Sequence, residues 1–168
     1  MKQAVFITGF NNWGKTRIIE HLFRRRRFHN GWYFAIPGIN ANFTVESHSN
    51  DDWGSAWPVR VQNRINREPI SHLNLFTALC PTMDINNNFV NLLSNPPFTA
   101  YDKLHIILIE YKWEHHAKLI LNNITTAGAN IPNVNFITIN ADQNLLTDQS
   151  RWQAKTSQIR QELGIIFP

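Results

Sequence analysis

A single cysteine, Cys80, is all the chain carries, so no disulfide can close within it and nothing marks a cysteine-stapled secreted scaffold. Long apolar runs are missing too: none approaches the roughly 20 residues that a membrane-spanning helix requires. The first strand-like run begins almost at Met1, which leaves no room for a signal peptide. The expectation is therefore a cytoplasmic protein with no membrane attachment. No internal repeat and no long linker interrupts the chain, and asparagine is frequent but scattered. Metal-ligand spacing is also lacking. His115 and His116 are adjacent, and neighbours on a helix point about 100° apart, so they read as solvated or hydrogen-bonded side chains. Acidic residues are the scarcer sign: 12 Asp and Glu stand against 16 Lys and Arg, for a net charge of +4. That excess suits a polyanionic ligand, and nucleotide phosphates alone account for it.

What is present is apolar and aromatic. Of 168 residues, 43% are hydrophobic and 12% aromatic, which excludes a disordered chain and fits one domain, residues 1–168, with a real core. Near the start stands Gly9-Phe10-Asn11-Asn12-Trp13-Gly14-Lys15-Thr16, a match to the phosphate-binding pattern G-x-x-x-x-G-K-[ST]. Chance produces it in well under about 1% of chains this long. Its context fits. Ala4-Val5-Phe6-Ile7 is a buried-strand run, and Ile18, Ile19, Leu22 and Phe23 share one helical stripe. The two glycines let the backbone curl, so that N–H groups from Gly9 through Asn11, Asn12, Trp13 and Gly14 converge on an anion. The following helix points its positive end at the same place. Lys15 is then expected to reach the β- and γ-phosphates, and the Thr16 hydroxyl to bind Mg²⁺.

Further along, strand and helix signals alternate. Trp32 to Ile36 and Asn42 to Glu46 read as an antiparallel hairpin at a sheet edge. Ser47 to Pro58 reads as a polar, turn-rich connection, and Val59 to Asn66 as a short helix or strand. Leu73 to Cys80, Leu104 to Ile109 and Asn135 to Ile139 are strand-like. Asn87 to Leu93, His116 to Thr125 and Ser150 to Leu163 are helix-like, with Gly128 and Gly164 near the last two ends. The pattern predicts an α/β fold in three layers, with a mainly parallel sheet covered on both faces and the antiparallel hairpin at its edge.

Ligands in such sheets bind beyond the carboxyl ends of the strands. Glu110, which ends the apolar run Ile106-Ile107-Leu108-Ile109, is the first candidate for the metal or the attacking water. Asp84 is the second, with a helix-capping role as its alternative. Asp51 and Asp52 read as turn residues, with a phosphate-sensing switch loop as the alternative. Arg24 to Arg27 follow a helix and complement its C-terminal dipole on a solvated face. Nucleic acid stays open as a partner for that run. Arg60, Arg64 and Arg67 are scattered, and any one of these arginines could reach a transferring phosphate.

The Gly9 to Thr16 motif resembles the P-loop of the P-loop NTPase superfamily. The resemblance implies the P-loop NTPase fold, a nucleoside triphosphate (ATP or GTP) with Mg²⁺, and Lys15 and Glu110 as catalytic residues. Asn12 falls where Era-type GTPases carry Asn, and Asn11-Asn12 is similar to loops of the ABC-related recombination and DNA-repair ATPases. Tyr111-Lys112-Trp113-Glu114 matches the guanine-reading Asn-Lys-x-Asp at Lys112, with Glu114 as a replacement for the acid and Tyr111 departing, and Asn140-Ala141-Asp142 matches Ser-Ala-Lys at Ala141 only. Gly9-Phe10 with Gly14-Lys15-Thr16 also resembles some small-metabolite kinases. Three functions follow as expectations: a small NTP hydrolase or switch, a phosphotransferase acting on a small acceptor or nucleotide, or a non-catalytic module acting through a protein partner.

Overall fold

The structure, a computed structural model, describes residues 1–168. The chain runs β1 (Gln3–Thr8), α1 (Lys15–Phe23), β2 (Phe34–Ala35), β3 (Asn42–Glu46), α2 (Asn50–Trp53) and α3 (Trp57–Ile65). It continues with β4 (Asn74–Leu79), α4 (Phe89–Leu93), β5 (Lys103–Ile109), α5 (Leu121–Gly128), β6 (Val134–Ile139) and α6 (Asp148–Ile166). The six strands form one sheet in the order β2-β3-β4-β1-β5-β6. All pairings are parallel except that of β2 with β3. Strands β1, β4 and β5 read as near-continuous apolar runs because both their faces are covered.

The order sets the layers. The step from β1 to β3 moves along the sheet one way; the steps to β4, β5 and β6 move the other way. Right-handed crossovers then place α1 on one face and α3, α4 and α5 on the opposite one. Side-chain packing agrees. Phe23 of α1 meets Phe43 and Phe76 edge to face, and Phe43 meets Phe167 at the end of α6. On the other face Trp57 of α3 stacks on Phe98, which meets Phe6. The architecture is thus α/β in three layers. β1 sends its helix to one face, where α6 joins it, while both neighbours of β1, β4 and β5, send theirs to the other. The loop after β1 therefore sits where the chain parts around the carboxyl edge.

Several elements differ from their sequence reading. The antiparallel hairpin does stand at the sheet edge, and its second strand β3 also pairs parallel with β4, from Phe43↔Asn74 to Glu46↔Thr77, with Phe43 through Glu46 all buried. β2 shortens to two residues because Trp32 and Tyr33 point to solvent. The stretch after β3 is not a turn-rich connection. Ser49 and Asp52 form a reciprocal capping box that opens α2, and Pro58 sits in the first turn of α3. Residues 111 to 120 are not helical. Tyr111 bridges to Lys118 and the Leu119 N–H donates to the Glu110 carbonyl, so this segment folds back as a strap before α5 begins at Leu121. α6 runs through Gly164 to Ile166.

β6 is the free edge. The carbonyls of Asn133 and Ile139 bond back to β5, so the alternate residues Val134, Phe136 and Thr138 turn their backbone outward. Gln158 of α6 lies across the end of that edge. Its Nε2 donates to the Thr138 carbonyl, and its Oε1 accepts the Asn140 and Ala141 N–H groups. No helix is long and apolar enough to cross a membrane.

Candidate functional site

β1 delivers the Gly9–Thr16 loop to the carboxyl edge. The Gly9 N–H extends the sheet ladder to the Leu79 carbonyl at 3.1 Å, and the chain then curls. Asn12 and Gly14 carry the left-handed backbone of the curl, with φ of 61° and 80°. At Gly14 the requirement is conformational, since a Cβ would meet nothing within 4 Å. Trp13 is buried in the core with its ring edge on Phe10, which anchors the loop, and it also lines the cleft. The Asn11 Oδ1 accepts the Asn12 N–H at 3.0 Å.

α1 starts without a side-chain cap and without an acid in its first turn. The first intrahelical donor is the Ile18 N–H, bonded to the Gly14 carbonyl at 2.9 Å. The N–H groups of Lys15, Thr16 and Arg17 are thus left to the cleft, at the positive end of the helix. Two lysines are buried in this protein, and they differ. The Lys155 ammonium sits 3.2 Å from the Asp142 carboxylate and donates to the Tyr111 carbonyl. The Lys15 ammonium, in a residue only 7% exposed, donates to the Phe10 carbonyl at 2.7 Å and pairs with no carboxylate. Its pKa is lowered from the 10.5 of an ordinary lysine: desolvation by burial pushes it down, and the more distant charges of Cys80, Asp51 and Asp52 push back. A buried cation without an anion is a costly arrangement that a bound anion relieves.

The end of β3 forms the facing wall. The Thr16 hydroxyl donates to the Ser47 carbonyl at 2.9 Å, which turns its proton away from the cleft and leaves its lone pairs available. A cleft of about 300 Å³ lies between Asn11–Arg17 on one side and Ser49 and Asp52 on the other. One Asp52 oxygen, Oδ2, accepts the Ser49 N–H at 2.9 Å in the capping box. Asn50 fixes the wall in place. Wholly buried, its side chain accepts the Cys80 N–H at 2.7 Å and donates to the Cys80 carbonyl at 3.0 Å, as a strand residue would. Asn87 adds a bond to the Asn50 carbonyl. Ser49 and Asn50 escaped sequence reading, and Asp52 entered it as a turn residue with a switch loop as its alternative; the Ser49-x-x-Asp52 capping box was the available signal.

The other candidates disperse. Glu110 does lie at the carboxyl edge after β5, half-buried, but it is not among the residues lining the loop cleft. Asp84 is exposed beyond β4, and the cap of α4 is Asn88, whose Oδ1 accepts the Val90 and Asn91 N–H groups. Asp51 is exposed beside Asp52. Arg64 is committed to Glu46 at 2.6 Å and to the Phe28 carbonyl at 2.8 Å. Arg60 lies over the Trp53 ring, 3.7 Å from the same buried Glu46, and Arg67 is exposed. His115 sits in a left-handed turn with Nε2 3.0 Å from Asp142, while His116 is exposed. No group of three or more His, Cys, Asp or Glu side chains is placed to hold a metal ion.

Beyond the strap, Trp113 donates its indole N–H to the Asn12 carbonyl at 3.2 Å, tying residues 111 to 120 to the glycine loop. On the opposite side of the loop a mostly apolar cavity of about 650 Å³ opens between Phe10, Pro81, Met83, Lys118 and Ile120. No family model matches this chain, and no curated protein or solved structure matches it either.

Proposed function

We propose that the Gly9–Thr16 loop binds the phosphates of a nucleoside triphosphate, ATP or GTP, with Mg²⁺, and that the protein hydrolyses it. One observation carries the reading: a buried lysine without an anion, set above an uncapped helix N-terminus on a glycine-curled loop. On binding, Lys15 exchanges the Phe10 carbonyl for the β- and γ-phosphate oxygens, and the free N–H groups of the loop and of α1 close around them. Thr16 suits a magnesium ion, because its lone pairs face the cleft and hard oxygen ligands are what that ion takes. Bound there, Mg²⁺ would neutralise charge developing on the transferred phosphoryl group. Asp52, on the facing wall, serves the water shell of that ion or the attacking water. Glu110, at the next strand end, is the alternative acid for the same role.

The cavity beside Phe10 favours a second reading, a phosphotransferase in which a bound acceptor replaces water. Phe10 and Met83 give it apolar walls, and Lys118 is its charged residue. The deciding experiment titrates ATP and GTP with and without Mg²⁺ and follows phosphate release. Acceptor-independent release supports hydrolysis. Tight binding with no release in the absence of acceptor points to transfer, or to a non-catalytic module. No binding of either nucleotide removes the proposal.

A further inference from the structure

We infer that a basic, aromatic groove along α1 and the segment after it binds single-stranded nucleic acid. Arg17 and His21 face solvent one turn apart on α1, and Arg24, exposed too, is its left-handed C-cap. Arg25, Arg26 and Arg27 follow past the helix end, about 14 Å from the glycine loop at 1.5 Å per residue. All four arginines of the run are exposed, and none pairs with a carboxylate. Glu20 is the one acid lining their hollow, and Arg25 lies over the Phe34 ring, 5.5 Å from its centroid. The density of positive charge is felt locally: the His21 pKa is lowered, first by desolvation and then by Arg160, Arg17 and Arg24.

A concavity and stacking surfaces accompany the charge. Arg24 to Arg26 line a hollow of about 400 Å³ whose side wall is Trp152. The Arg17 guanidinium lies over the Trp152 ring, 4.7 Å from its centroid, and His21 meets the same ring edge on. A second hollow of about 290 Å³ shares Arg17 and Trp152 and continues towards Trp113. Beyond Arg27, Trp32 and Tyr33 are 56% and 49% exposed, although large aromatics are ordinarily buried. His29 packs beside Trp32.

A cationic hollow with an indole in its wall, followed a few residues on in the chain by two exposed aromatic rings, suits a flexible polyanion whose bases are free to stack. A duplex would hide those bases, and a lipid surface would use the charge without the concavity. Arg17 also lines the glycine-loop cleft, so the substitutions are placed at Arg24 to Arg26 and Trp32, outside that cleft, and what they change is separable from what the loop binds.

The test is fluorescence anisotropy with labelled dT20 and rU20 across a salt series. Wild type should bind in the micromolar range at low salt, with a steep log–log salt slope. The combined Arg24→Gln, Arg25→Gln, Arg26→Gln variant keeps side-chain length and is expected to bind at least tenfold more weakly. Its slope should fall by about 2, at roughly 0.7 for each single-strand phosphate no longer neutralised. Trp32→Ala should weaken binding about tenfold and leave the slope unchanged, as removal of a stacking ring does. Three results would each overturn the inference. One is wild-type affinity in the arginine variant. Another is displacement of dT20 by polyglutamate as readily as by unlabelled dT20. The third is binding to phosphatidylserine vesicles but not to either oligonucleotide.

Discussion

An ammonium group held out of water without a counterion is disfavoured in its charged form, and Lys15 shows this in its lowered pKa. Phosphate binding needs the protonated amine. Triphosphate affinity should hold at low pH and fall as pH rises through that lowered value, before an ordinary lysine would titrate; isothermal titrations across pH should lose this decline in Lys15→Ala. The same substitution should cut turnover on the order of 100-fold or more, as removal of preorganised charge does, which phosphate release will show. The effect on stability has its own sign. Between the lowered folded pKa and the unfolded one, the unfolded chain binds more protons, so this residue's contribution grows as pH rises and is unfavourable below that window. Lys15→Met is thus expected to raise the apo protein's melting temperature at neutral pH by about 2 °C. Cys80 is a second residue with a definite expectation. Burial, reinforced by Asp51, pushes its thiol up to about 11, so at pH 8 almost no thiolate is present. An aromatic disulfide reagent should label it only on unfolding.

At the scale of elements, the wall facing the glycine loop depends on one side chain. Asn50 replaces a missing strand residue against Cys80, and Asn50→Ala leaves a buried N–H and a buried carbonyl unpaired. The expected cost is about 2–3 kcal/mol by urea denaturation, with Cys80 becoming reactive in the folded state. Ser49→Ala removes only a cap and should cost about 1 kcal/mol. The contrast shows what the amino-acid pattern could and could not reveal. β1, β4 and β5 were legible because their apolar runs are long and bounded by turn residues. The loop Gly9–Thr16 was legible because its chemistry is local in sequence. The wall was not, because pairing of β3 with β4 joins residues some thirty positions apart and leaves no periodic trace. The second half of the strap, from His116, was misread as helix for a related reason. Its geometry comes from Trp113 on Asn12 and His115 on Asp142, pairings that no spacing rule anticipates.

The whole molecule holds the glycine loop and the arginine run at opposite ends of one helix, the loop at the carboxyl edge of the sheet and the run past the end of α1. Ligand binding at the loop should stabilise the entire domain, since one core cluster joins α1 to every layer around the sheet. At a hundredfold excess over Kd, Mg–triphosphate should add about 2.7 kcal/mol, read as a rise in melting temperature of roughly 5–10 °C by thermal shift. The outward-turned backbone of β6 has a different consequence, for how the protein behaves in a crowd of its own copies. An open strand edge is a template on which a second chain can polymerise. Gln158 occupies the end of that template, satisfying Thr138, Asn140 and Ala141 with a single amide. This makes a helix residue the gatekeeper of colloidal stability. Gln158→Ala should scatter more light during concentrated refolding, while its circular dichroism at low concentration stays that of the wild type.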